Sequence, residues 1–117
     1  MTTWNLEETN CHLLICNGSS CMRRQAEEVT QAIRDEIALL AADRQIHTTR
    51  TRCNGRCADA CVVIAYPEGV WYKHITPELG RELVRRHAAG GRLEEQIVYS
   101  FDERFVSSGL SVTGQEK

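Results

Sequence analysis

Six cysteines in a chain of 117 residues, grouped as two runs of three, are the residues best suited to chemistry. The first run is Cys11-x4-Cys16-x4-Cys21 and the second is Cys53-x3-Cys57-x3-Cys61. Thiolates gathered in this way bind soft metals, and four of them saturate either a tetrahedral zinc ion or a [2Fe–2S] cluster. The same count would also allow three disulfides. The first eight residues lack the basic and apolar segments of a secretory leader, so the expected compartment is cytoplasmic, where structural disulfides are rare.

Geometry prunes the six candidates to four. Cys11 and Cys16 bracket an apolar segment that reads as a strand, and at ~3.3 Å per residue its ends lie about 16 Å apart. Both cannot reach one cluster, so Cys11 reads as a core residue. Cys16 and Cys21 flank Asn17, Gly18, Ser19 and Ser20, a turn that folds the chain back. Cys21 then sits at a helix start, where the positive end of the helix would lower its thiol pKa. Gly55 lets the chain curl between Cys53 and Cys57. Cys61 opens an apolar strand and reads as a small buried hydrophobe or as a spare thiol beside the site. The set that remains is Cys16, Cys21, Cys53 and Cys57. Its residues alone leave zinc and iron–sulfur both open.

The elements that must position this set follow from periodicity. Residues 12–16 form a short buried strand. Met22, Ala26, Val29, Ile33, Ile37 and Leu40 recur at helical spacing, which predicts one five-turn helix capped by Ser20. Residues 45–50 form a weaker strand. Residues 62–66 and 70–75 flank Pro67, Glu68 and Gly69 and predict a hairpin. Thr76, Pro77 and Glu78 start a second helix, and Gly90 and Gly91 end it. Residues 96–101 add a last strand or extended arm. The order predicts an α/β domain, a mixed sheet with helices packed on it. It spans residues 11–101, with a loose N-terminal segment at 1–10 and a flexible C-terminal tail at 102–117.

The motif Cys16-x4-Cys21, Cys53-x3-Cys57, with the run from Val62 through Tyr66-Pro67-Glu68-Gly69-Val70-Trp71-Tyr72 to Thr76-Pro77-Glu78, resembles the thioredoxin-like [2Fe–2S] ferredoxins. It is also similar to the small iron–sulfur subunit of respiratory complex I and of NAD-linked hydrogenases. The resemblance covers about residues 11–100. It implies a thioredoxin-like fold, one [2Fe–2S] cluster on Cys16, Cys21, Cys53 and Cys57, and a homodimer packed through the sheet. It implies a one-electron carrier with redox partner proteins and no catalytic residues. The expected form is a freely diffusing ferredoxin. An electron-transfer subunit docked in an NAD-linked oxidoreductase is the alternative, and a four-cysteine zinc domain a lesser one.

Other chemistries lack their residues. No Cys-x-x-Cys pair is present for disulfide exchange, and no histidine has the spacing of a Rieske ligand. A formal charge of −2 argues against nucleic acid, and apolar runs of about five residues cannot span a membrane. Arg23, Arg24, Arg50, Arg52 and Arg56 all lie within three residues of a proposed ligand. They form a basic collar that would raise the cluster potential and favour an acidic partner surface.

Overall fold

The alternation of apolar residues at Cys11, Leu13 and Ile15 sets the first strand against the core, and the rest of the sheet is built outward from it. In the computed structural model, which describes residues 2–117, β1 is Cys11–Cys16 and β2 is Ile46–Thr51. The two run parallel in register, from Cys11 beside Ile46 to Cys16 beside Thr51. β3 (Val63–Tyr66) and β4 (Val70–Tyr72) form the expected hairpin, and β5 (Ile97–Asp102) pairs beyond them. The strand order is β2-β1-β3-β4-β5-β6, with β6 (Arg104–Ser107) antiparallel at the edge. The α/β mixed sheet is thus as expected, with one strand more.

Cross-strand register sorts the two faces. Leu13 lies beside Ala65, Ile15 beside Val63, and Val63 beside Tyr72, and all five are essentially sealed from solvent. Their face is covered by helices α2 (Ala26–Leu39) and α3 (Pro77–Ala88), through Val29, Ile33, Leu83 and Val84. Thr76 caps α3, its hydroxyl accepting the Leu79 N–H as the Thr-Pro-Glu start predicts. Glu36 of α2 is buried between the helices and takes Arg81 at 3.0 Å and Arg85 at 3.3 Å from α3. The opposite face carries Leu14, Ile64, Trp71 and Tyr99, and among the described residues α2 and α3 both pack on the other side.

Two expectations change. The single five-turn helix is two: α1 (Ser19–Arg23) and α2, separated where Gln25 takes a left-handed conformation at φ 66°. The N-cap is Gly18, not Ser20. Met22 and Leu40 are exposed, so the buried stripe runs only from Ala26 to Ile37. The break has a physical reason: Cys21 must face one direction and the Ala26–Ile37 stripe another, and an unbroken helix cannot do both.

The second change is the C-terminal segment. Residues 104–107 form β6, and the chain then returns along the loop before β3. There the Ser111 hydroxyl bonds Asp59 and the Val112 carbonyl accepts from Arg56 at 2.8 Å, while the Leu110 carbonyl accepts from Lys73, just after β4. Residues 2–8 are exposed, and Met1 lies outside the described residues.

Candidate metal centre

Parallel pairing brings two chain exits to one end of the sheet. β1 ends on Cys16 and β2 on Thr51, and the Asn17 N–H donates to the Thr51 carbonyl at 2.8 Å. Cys21 comes from α1. Cys53 follows β2, and Cys57 opens a short 3-10 turn, Cys57–Asp59. All four predicted residues line one pocket, walled otherwise by Gly18, Val62 and the Asn54–Arg56 loop. Cys16 and Cys21 are buried, each 3% exposed, whereas Cys53 and Cys57 face solvent.

The contact between the two loops is close enough to require glycine. A Cβ on Gly18 would meet the Cys53 Cα at 2.8 Å and its Cβ at 2.9 Å. Gly55, at φ +82°, supplies the left-handed residue of the second loop. The Asn54 amide closes that loop on the Thr51 hydroxyl at 2.7 Å.

The four sulfurs fall in two groups. Cys53 and Cys57 Sγ are 3.5 Å apart, and the Cys21 thiol lies beside those of both Cys16 and Cys61. Among the described residues, no three of the four sulfurs fall within 4.8 Å of one another. One tetrahedral zinc ion, with Zn–S of about 2.3 Å, would draw all four to roughly 3.8 Å. Two pairs across a pocket instead suit a cluster of two irons, so the donor set fits a [2Fe–2S] unit.

Backbone N–H groups are aimed at the sulfurs. Those of Gly18 and Asn54 face Cys16, that of Val62 faces Cys21, and the Gly55 N–H reaches Cys53 Sγ at 3.3 Å. Burial nevertheless pushes the free Cys16 thiol up despite these donors. Cys21 is also raised, first by the neighbouring Cys61 thiol and then by burial. The lowered Cys21 pKa expected from a helix start is therefore not found, because the Cys61 thiol and burial outweigh a helix of only five residues.

The two cysteines set aside occupy different places. Cys61 is 1% exposed, next to Cys21, with its thiol directed at the Cys16 carbonyl at 3.8 Å. It is both a core residue and a thiol beside the site. Cys11 is buried at the far end of β1, and burial, with the Glu68 carboxylate adding, pushes its thiol up to about 12.

The basic collar is partly neutralised. Arg50 pairs with Glu27 at 3.1 Å. Arg56 pairs with the buried Asp59 at 2.7 Å, lies over the Tyr99 ring at 5.3 Å and donates to Val112. The i,i+3 spacing of Arg56 and Asp59 was a readable signal for this pair; the return of residues 111–112 was not. Among the described residues, Arg23, Arg24 and Arg52 make no ion pair. Arg23 and Arg24 line a cleft beside Cys57.

Gly18→Ala is expected to force the two ligand loops apart, because the obstacle is backbone and cannot swing away. Iron and sulfide content of the purified variant should fall to a small fraction of the wild-type value. Full content would mean that the loops part without cost to the site.

The family profile described as thioredoxin-like [2Fe-2S] ferredoxin matches residues 3–88. A protein of Priestia megaterium, whose own assignment as a 2Fe-2S ferredoxin is provisional, is 55% identical over all of this chain and 94% of its own length. A 2Fe-2S ferredoxin of Aquifex aeolicus is 38% identical over 69% of this chain and 74% of its own. The crystal structure of the wild-type thioredoxin-like [2Fe-2S] ferredoxin from Aquifex aeolicus is similar with a TM-score of 0.70 and 28% identity. It covers 77% of this chain and 97% of its own. The chain has the thioredoxin-like fold and belongs to the thioredoxin-like [2Fe–2S] ferredoxin family, as an electron carrier with a [2Fe–2S] cluster and not as an enzyme.

Proposed function

We propose that Cys16, Cys21, Cys53 and Cys57 hold the cluster, one iron on each sulfur pair, and that partner oxidoreductases exchange electrons through the exposed Cys53–Cys57 edge. The single observation that carries this reading is the two-pair arrangement, with one pair buried and one at the surface. When bound, a [2Fe–2S] cluster supplies one-electron redox chemistry. The chain does the rest. Val62 and the buried pair exclude water from one side, and the N–H groups of Gly18, Asn54, Gly55 and Val62 stabilise negative charge on the sulfurs. Asn54 and Gly18 keep the two loops at one separation.

Serine in place of Cys16, Cys21 or Cys53 should each abolish or destabilise the cluster, whereas Cys11→Ser should retain it. Anaerobic purification, iron and sulfide analysis and an electron paramagnetic resonance spectrum of the reduced protein measure this. A normal spectrum in any of the first three, or cluster loss in Cys11→Ser, would falsify the ligand set.

The unpaired arginines support docking to an acidic partner surface. Arg23, Arg24 and Arg52 lie within three residues of a ligand in sequence and carry no counter-charge among the described residues. At roughly 8 Å and an effective dielectric near 40, one positive charge favours the reduced state by about 1 kcal/mol, or on the order of 40 mV. Arg52→Gln should lower the potential by tens of millivolts at low salt and by less at high salt. An unchanged potential at both would leave Arg52 as an ordinary solvated residue. Arg56 is the wrong target, since its removal strands the buried Asp59 charge.

The helix-free face supports a homodimer. Trp71 packs edge-on against Phe105 at 6.0 Å, and Tyr66, Phe101 and Phe105 remain exposed around it. An aromatic surface of this kind is usually covered in solution. Light scattering at tens of micromolar should give twice the chain mass, and Phe105→Glu should reduce it towards the monomer. A monomeric mass for the unaltered protein rules the dimer out.

A further inference from the structure

A second group of ligand-type side chains lies at the opposite end of β1, roughly 16 Å from Cys16 along the strand. It brings together Cys11 of β1, Glu68 of the turn between β3 and β4, and His87 in the last turn of α3. The sulfur, a carboxylate oxygen and a ring nitrogen all lie within 4.8 Å of one another. We propose that Cys11, Glu68 and His87 form a site for one zinc-class divalent cation, separate from the cluster.

Three observations support it. Glu68 Oε2 is buried and has no hydrogen-bond partner, a costly arrangement unless a cation or donor answers it. His87 is anchored, its Nε2 bonded to the Tyr72 hydroxyl at 2.7 Å, which leaves Nδ1 as the ligand atom. An outer hydrogen bond of this type is what fixes the ring and tautomer of metal-ligating histidines. The three ligands also come from a strand, a tight turn closed by the Gly69 N–H on the Ala65 carbonyl at 2.8 Å, and a helix packed on the core, which sets their separation.

The donor types select the ion. One sulfur, one nitrogen and one oxygen suit a borderline-soft cation, whereas calcium and magnesium take oxygen alone. Three protein ligands leave a fourth position for water. Ligation converts the Cys11 thiol to thiolate and releases one proton to the buffer. The bound ion would clip β1, the β3–β4 turn and α3 together at the end of the domain remote from the cluster. It would raise stability by mass action and leave the redox site untouched.

Zinc chloride titrated into the cluster-loaded protein tests this by calorimetry. The expected result is one equivalent bound per chain and a rise in the thermal midpoint. Glu68→Gln and Cys11→Ala should each weaken binding by at least about tenfold, and Tyr72→Phe by ~10–100-fold with the core intact. The visible spectrum of the cluster checks that each variant has folded. Glu68 is only partly buried, so Glu68→Gln remains informative if Cys11→Ala fails that check. A zinc-soaked crystal measured at the zinc absorption edge should show its anomalous peak between Cys11, Glu68 and His87. The proposal is overturned by no heat of binding, by a Glu68→Gln variant that binds zinc as the wild type does, or by a peak elsewhere.

Discussion

The parallel pairing of β1 with β2 is the constraint on which the rest of this protein depends. Only because the two strands run the same way, with Cys16 opposite Thr51, do the loops that follow them leave from the same end of the sheet. An antiparallel pair would send the second cysteine loop to the other end, some five residues of strand away. The register matters as much as the direction. A slip of one residue would turn Leu13 and Ile15 out of the core and move Cys16 by about 3.3 Å relative to Cys53. The parallel arrangement also requires a crossover, and α1 and α2 supply it while delivering Cys21 on the way.

The crossover has two tasks, and the chain divides them at Gln25. Before it, a five-residue helix turns Cys21 towards the pocket; after it, α2 lays Ala26, Val29 and Ile33 on the sheet. The helices are then locked to each other by burying Glu36 between Arg81 and Arg85, whose own heads stay partly solvated. The second ligand loop uses the same device. Asp59 is sealed beneath Arg56 and Ser111, so the residues next to Cys57 are fixed by charge as well as by packing. Arg56 thus serves the loop's shape, and the basic character of the cluster surface rests on Arg23, Arg24 and Arg52.

Much of this was legible in the sequence because it is local. The cysteine spacings, the Tyr66–Val70 turn, the Thr76 cap and the alternation in β1 each depend on residues a few positions apart. They appear where local chemistry predicts. The strand-length argument also separated Cys11 from Cys16, since the rise of a strand is the same in every fold. The local inferences that failed all concern the first helix: its continuity, its Ser20 cap and the lowered Cys21 pKa. Helical periodicity measures spacing, and it cannot see that Cys21 and Val29 must face different neighbours.

By itself, then, the sequence marked most of the element types, the two groups of cysteines and the family likeness that implied a [2Fe–2S] cluster. Tertiary structure decided what stands around them. It paired the sulfurs two by two, set the N–H groups of Gly18, Asn54, Gly55 and Val62 towards them, and brought Cys61 against Cys21. It returned Ser111 and Val112 to Asp59 and Arg56, and it gathered Cys11, Glu68 and His87 at the far end. Each of these contacts, apart from the short loops, joins residues tens of positions apart. Their distance depends on strand order and register, which a one-dimensional pattern of residue types does not contain.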